Sequence, residues 1–184
     1  MEPHMKPLDR ALFYKYLDAA STYLEYGSGG STVQASLRPG IRTIVSVESD
    51  AEWYAKVKAL LPTSTRFLHC PMGTLPHTWG YPGKDSTPDQ WAHYIRVVHT
   101  MDPPDFVLID GRFRVACCLT CYDAIDDACR IAFDDFMDRP QYHVVLGFYE
   151  IVEKTADRSM VILKKKPGAS PSKELIAYYE SIPN

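Results

Sequence analysis

Several residues in this chain have types and spacings that could do chemistry. Glu25-Tyr26-Gly27-Ser28-Gly29-Gly30 is a Gly-x-Gly turn led by an acid and followed by Ser31 and Thr32. Between a strand and a helix, such a turn lets backbone amides approach a ligand. A dinucleotide fingerprint asks for a third glycine where Thr32 stands, and a bare Glu25 two residues before the first glycine repels a pyrophosphate. The same carboxylate suits a cationic ligand. Glu48, in "VSVESD", offers an acceptor for a ribose diol. S-adenosylmethionine carries both the positive charge and the diol.

A second set comprises Asp110, which ends "DFVLID", and Asp134 with Asp135, which end "RIAFDD". Carboxylates packed together repel, so protons or a cation must compensate them. Oxygen ligands alone select a hard ion such as Mg²⁺, Ca²⁺ or Mn²⁺. Around these acids stand Arg112 and Arg114, which either bind an anionic substrate group or pair with an acid; an arginine cannot serve as a base. His143, in "DRPQYHVV", titrates in the range a general base needs. Trp53 is placed either in the core or over a flat base, and Trp79 and Tyr81 suit a sugar ring or a phenol.

The elements that must position these residues alternate. "DRALFYKYLDAA" has helical spacing, "STYLEY" reads as a strand, and "GGSTVQASLRPG" as a helix stopped at Pro39-Gly40. "IRTIVSVE" and "STRFLHC" are strands around the helix "DAEWYAKVKALLP", capped by Asp50. Residues 71–86, rich in Pro and Gly, are too long for an ordinary connection and read as a substrate or lid loop. A helix over 87–100, the buried strand "PDFVLIDG", a helix over 113–128 and the strand "CRIAFDDF" follow. "FYEIVEKTADRSMVILKKK" alternates about a turn at 155–158 as an antiparallel hairpin, and "SKELIAYYE" closes with a helix. This order predicts an α/β fold with a mostly parallel sheet, helices on both faces, and a site at the carboxyl ends of the strands.

With 184 residues, one domain over 1–184 is expected. A net charge of only −3 disfavours a general nucleic-acid or membrane-surface role. No apolar run approaches the roughly 20 residues of a membrane helix, and "MEPHMKPLDR" lacks a signal core, so a cytoplasmic protein with a small-molecule partner is expected. Cys117, Cys118 and Cys121 lack zinc-ribbon spacing and read as buried free thiols.

Glu25-x-Gly27-x-Gly29-Gly30 with Glu48 resembles the first two motifs of class I S-adenosylmethionine-dependent methyltransferases. The resemblance implies a Rossmann-like sheet of seven strands ending in an antiparallel hairpin. It also implies cofactor contacts at Glu25, Tyr26, Gly27, Ser28, Gly29, Ser31, Glu48, Ser49 and Asp110, while "HCPMG" departs at His69, Cys70 and Met72 from the acid or small polar residue that the family often sets against the adenine. The paired aspartate followed by Phe136 resembles the metal-dependent O-methyltransferases, both the catechol and the macrocin-type sugar enzymes. That likeness implies Mg²⁺ or Mn²⁺ on Asp110, Asp134 and Asp135, orienting a hydroxyl of a sugar or glycan, or else of a catechol. In this reading Asp110 and Asp135 are catalytic. Macrocin-type enzymes carry Asp-Gly-Asp where this chain has Asp110-Gly111-Arg112, so the base passes to His143. An NAD(P)-dependent oxidoreductase and a non-catalytic nucleotide-binding module are the alternatives.

Overall fold

The computed structural model describes residues 1–74, 78–156 and 159–183. Helix α1 (Pro7–Leu17) leads into β1 (Thr22–Tyr26), α2 (Gly30–Ser36), β2 (Thr43–Glu48), α3 (Ala51–Lys58) and β3 (Arg66–His69). After a long connection come α4 (Pro88–Ile95), β4 (Phe106–Ile109), α5 (Arg114–Cys121) and β5 (Arg130–Phe133). Strands β6 (Tyr149–Lys154) and β7 (Val161–Lys165) and helix α6 (Lys173–Glu180) complete the chain. The seven strands form one sheet in the order β3-β2-β1-β4-β5-β7-β6. The first five are parallel, and β7 runs antiparallel to both β5 and β6. The expected α/β architecture and terminal hairpin are therefore present, with Asp157 and Arg158 of its turn outside the described residues.

Side-chain alternation along the strands decides where the chemistry goes. Tyr23, Phe106, Leu108 and Ala132 pack on one face with Phe13 and Leu17 of α1 and Ala35 of α2. Leu24, Tyr26, Val45, Val47, Val107, Ile109 and Phe133 pack on the other face with α5. Successive side chains point to opposite faces, so Glu25, Ser46, Glu48, Asp110 and Asp134 all leave from the α1–α2 face. The order reverses between β1 and β4, which opens the crevice at a topological switch point.

Local signals end the elements where the sequence suggests, with three differences. Asp50 accepts the Trp53 amide at 2.8 Å to cap α3, and Thr87 and Gln90 form a capping box on α4. Past Ile95 the chain tightens into a 3-10 helix over Arg96–Thr100, so α4 is shorter than expected. α5 stops at Cys121 instead of reaching residue 128, because Asp123, Asp126 and Asp127 are poor helix formers. His143 lies on a 3-10 helix, Pro140–Gly147, not on an α-helix. All five cysteines are free and buried. No described helix is long and apolar enough to cross a membrane.

Candidate functional site

The loops after β1 and β4 meet backbone to backbone. Gly27 has φ +89°, and a Cβ there would lie 2.6 Å from both Cα and N of Gly111. A Cβ on Gly111 would fall 2.1 Å from the hydroxyl of Tyr94, which itself accepts the Arg112 amide. Only glycines permit this approach. Gly29, in contrast, is extended at φ 170° and packs beneath Trp53, whose Nε1 donates to the Ser28 carbonyl at 2.9 Å.

Glu25 and Glu48 have different roles. Glu25 is 0% exposed under the first turn of α2, accepting from the hydroxyls of Ser31, of Thr32 at 2.6 Å and of Ser46 at 3.2 Å. Burial pushes its carboxyl up to about 8 against these hydrogen bonds. It has no surface to offer a cation. The expected direct contact between Glu25 and the cofactor is thus corrected, and Glu25 instead shapes the loop from below. Glu48 ends β2, accepting from the Ser28 amide and hydroxyl at 3.3 and 2.7 Å on one oxygen. Its other oxygen accepts from the Ser49 and Asp50 amides at 2.7 and 2.8 Å. It joins the glycine loop to the start of α3.

Among the three aspartates, an arginine supplies the compensating cation. Arg114, its side chain 4% exposed, lies 3.2 Å from Asp110 Oδ1 and 3.3 Å from Asp135 Oδ2. Its remaining donor directions reach the carbonyls of Gly111, Asp134 and Asp110 at 2.8–2.9 Å. Arg139 binds Asp135 as well, at 2.8 Å. Burial pushes the Asp134 carboxyl up to about 8, and the neighbouring Asp110 carboxylate adds to the rise. Among the described residues, no three His, Cys, Asp or Glu side chains are placed to hold an ion. The donor set does not fit the expected Mg²⁺ or Mn²⁺ on Asp110, Asp134 and Asp135, because Arg114 already fills the space between them. The Arg114 guanidinium supplies a positive charge where the metal was expected.

The long connection folds back over this edge. A Cβ on Gly80 would lie 3.0 Å from Ser49 Oγ and 3.8 Å from Arg112 Cγ, and Thr74 donates to the Ser49 carbonyl at 3.2 Å. Trp79, 79% exposed, has its ring 6.0 Å from that of His4. Leu75, Pro76 and His77 of the expected lid lie outside the described residues.

No family model matches the chain, and no curated protein matches it. A crystal structure of a methyltransferase-like protein from Silicibacter pomeroyi DSS-3 matches with a TM-score of 0.84 at 29% identity, covering 97% of this chain and 96% of that one. The chain has the class I methyltransferase fold. Two more distant structures share the methyltransferase fold alone. One is a mutant of MtNAS in complex with S-adenosylmethionine, with a TM-score of 0.56, 11% identity, and coverage of 88% of this chain and 63% of that one. The other is a candidate caffeoyl-CoA O-methyltransferase from Staphylococcus aureus, with a TM-score of 0.55, 12% identity, and coverage of 90% and 86%.

On this methyltransferase fold, Gly27, Ser28, Gly29, Glu48, Ser49 and Asp110 lie together at the carboxyl ends of β1, β2 and β4. Other expected residues do not join them. Tyr26 points to the opposite face, where its buried hydroxyl donates to the Ile95 carbonyl at 2.7 Å. Ser31 is held by Glu25. Cys70 and Met72 belong to the core, and His69 stacks on Tyr54. His143 packs on the ring of Phe136, with Nε2 3.1 Å from that residue's carbonyl. Tyr94 and Arg139 are additions that the sequence motifs do not single out, and Thr32 gains a role as a donor to Glu25. Of these, only Arg139, four residues after Asp135, carries a signal in its spacing.

Proposed function

We propose that this protein transfers a methyl group from S-adenosylmethionine to a hydroxyl of a small-molecule acceptor. The observation that carries the reading is Glu48, a buried carboxylate at the end of β2 tied to Ser28 of the glycine loop. A carboxylate there suits a ribose diol, and the acids at this edge oppose a pyrophosphate. The acceptor oxygen attacks the sulfonium methyl in line. The O–CH₃ bond forms as the S–CH₃ bond breaks, the bond pair stays on sulfur, and S-adenosylhomocysteine leaves.

Asp110, in the loop packed against Gly27, is the carboxylate offered to the hydroxyl proton. Arg114 holds that carboxylate in place. With Arg114 between the acids, no step is routed through a metal ion. A metal would have made a sugar hydroxyl acidic enough to react, so the reading shifts toward the more acidic hydroxyl of a phenol or catechol. Trp79 and Tyr81, both exposed on the connection above the crevice, suit a flat acceptor.

The test is labelled-methyl transfer to a panel of phenols, catechols and sugars in excess chelator. Transfer to phenolic members is expected. Transfer to sugars alone, or to any acceptor only when metal is restored, would reject this form of the reaction.

A further inference from the structure

Unlike Arg114 and Arg139, Arg112 forms no ion pair among the described residues. It follows Gly111 at the carboxyl end of β4, and Tyr94 fixes its amide. Its Nε is screened from solvent and has no hydrogen-bond partner. Among the described residues, no carboxylate forms an ion pair with its guanidinium, whereas Arg114 and Arg139 are both paired with Asp135. Taking a guanidinium part-way out of water without a counter-charge is costly. Arg114 and Arg139 add to the positive field around it.

Its position gives the unmet charge a use. The Arg112 stem lies against Gly80 of the connection that folds over the crevice, and Gly80 also approaches Ser49 beside Glu48. The Arg112 stem is therefore close to that connection, while its backbone belongs to the loop that follows Asp110. Asp110 feels the charge of Arg112 but forms its ion pair with Arg114.

We infer that Arg112 binds an anionic group of the acceptor, a carboxylate or a phosphate, and so selects acidic acceptors for methyl transfer. The inference rests on the methyltransferase reading. Arginine's planar fork of donors pairs with either oxyanion through two parallel hydrogen bonds, which would orient the acceptor as well as hold it.

The test follows the melting temperature of the protein saturated with S-adenosylhomocysteine, in sodium benzoate or sodium phosphate against sodium chloride of equal ionic strength. Wild type is expected to gain about 2 °C or more in at least one of the two anions. The responding anion tells carboxylate from phosphate. Arg112→Lys should keep part of the gain, and Arg112→Gln should lose it. The shift produced by S-adenosylhomocysteine itself should be equal in all three proteins. Without ligands, Arg112→Gln should melt no lower than wild type, since it removes a half-buried charge that has no ion-pair partner among the described residues.

A wild type that responds to neither anion overturns the inference, as does an Arg112→Gln protein that responds equally. If Arg112→Gln loses the S-adenosylhomocysteine shift, Arg112 serves the cofactor's own carboxylate instead. Absence of any S-adenosylhomocysteine shift in wild type would remove the methyltransferase reading and this inference with it. A normal cofactor shift without an anion response overturns the anion site alone.

Discussion

The guanidinium of Arg114 lies 3.2 Å from the carboxylate of Asp110, four residues earlier in the chain, and is itself almost fully buried. Through its further contact with Asp135, one side chain ties the end of β4 to the end of β5. An arginine so placed neutralises the acids without an exogenous ion.

Replacing it should therefore be expensive. Arg114→Met removes a buried guanidinium from two half-buried acids and three carbonyls, and is expected to lower stability by about 1–3 kcal/mol in urea denaturation. Stoichiometric Mn²⁺ added to wild type should keep the electron-paramagnetic spectrum of the free ion. A bound-ion spectrum that disappears in Asp135→Asn would contradict the assignment of Arg114 as the compensating cation.

The two glycines of the loop should respond differently to alanine. Gly27→Ala must place a Cβ in the Gly111 backbone at a positive φ, and a loss of about 1–3 kcal/mol is expected. Gly29→Ala meets only the Trp53 ring, at 3.9 Å, and should cost less than about 1 kcal/mol. Thermal unfolding of the two variants checks this contrast, which equal losses would refute.

Much of this is legible in the sequence because alternating apolar runs define a parallel sheet, and a parallel sheet places its strand ends on one edge. Asp110, Asp134 and Glu48 can be assigned to that edge from their positions alone. What the sequence leaves open is the direction and occupation of each side chain. Tyr26 stands one residue before Gly27, yet alternation turns it to the far face. Glu25 lies on the correct face but beneath α2, where Thr32, in the place of a third glycine, takes up its carboxylate. In sequence Arg114 reads as a substrate contact or a surface ion pair, because its burial among three acids depends on two strands meeting. The role of Arg112 then becomes visible only by contrast with its paired neighbour.

Glu25 predicts a pH dependence of stability. Burial raises its folded-state pKa from an ordinary carboxyl value to about 8, so over this range the native state holds a proton that the unfolded state releases. Stability from this group is complete below the unfolded pKa and is lost as pH rises toward 8, at up to about 1.4 kcal/mol per pH unit. Glu25→Gln removes the titration, so its melting temperature relative to wild type should rise between about pH 5 and pH 8. A constant difference across that window would show that Glu25 does not hold the proton.

Glu48 should govern cofactor affinity. Glu48→Gln replaces an acceptor-only carboxylate and is expected to weaken S-adenosylhomocysteine binding by about 10- to 100-fold in titration calorimetry. Ser28 donates to the same oxygen at 2.7 Å and competes with a ribose diol for it, so Ser28→Ala should bind at least as tightly as wild type. Unchanged affinity in Glu48→Gln would detach Glu48 from the ribose.

The most direct test of the methyltransferase reading is calorimetric titration of the wild-type protein with S-adenosylhomocysteine, NAD and NADP in excess chelator. Saturable one-to-one binding of S-adenosylhomocysteine with no heat from either dinucleotide is the predicted result. Binding of NAD or NADP with none of S-adenosylhomocysteine would contradict it.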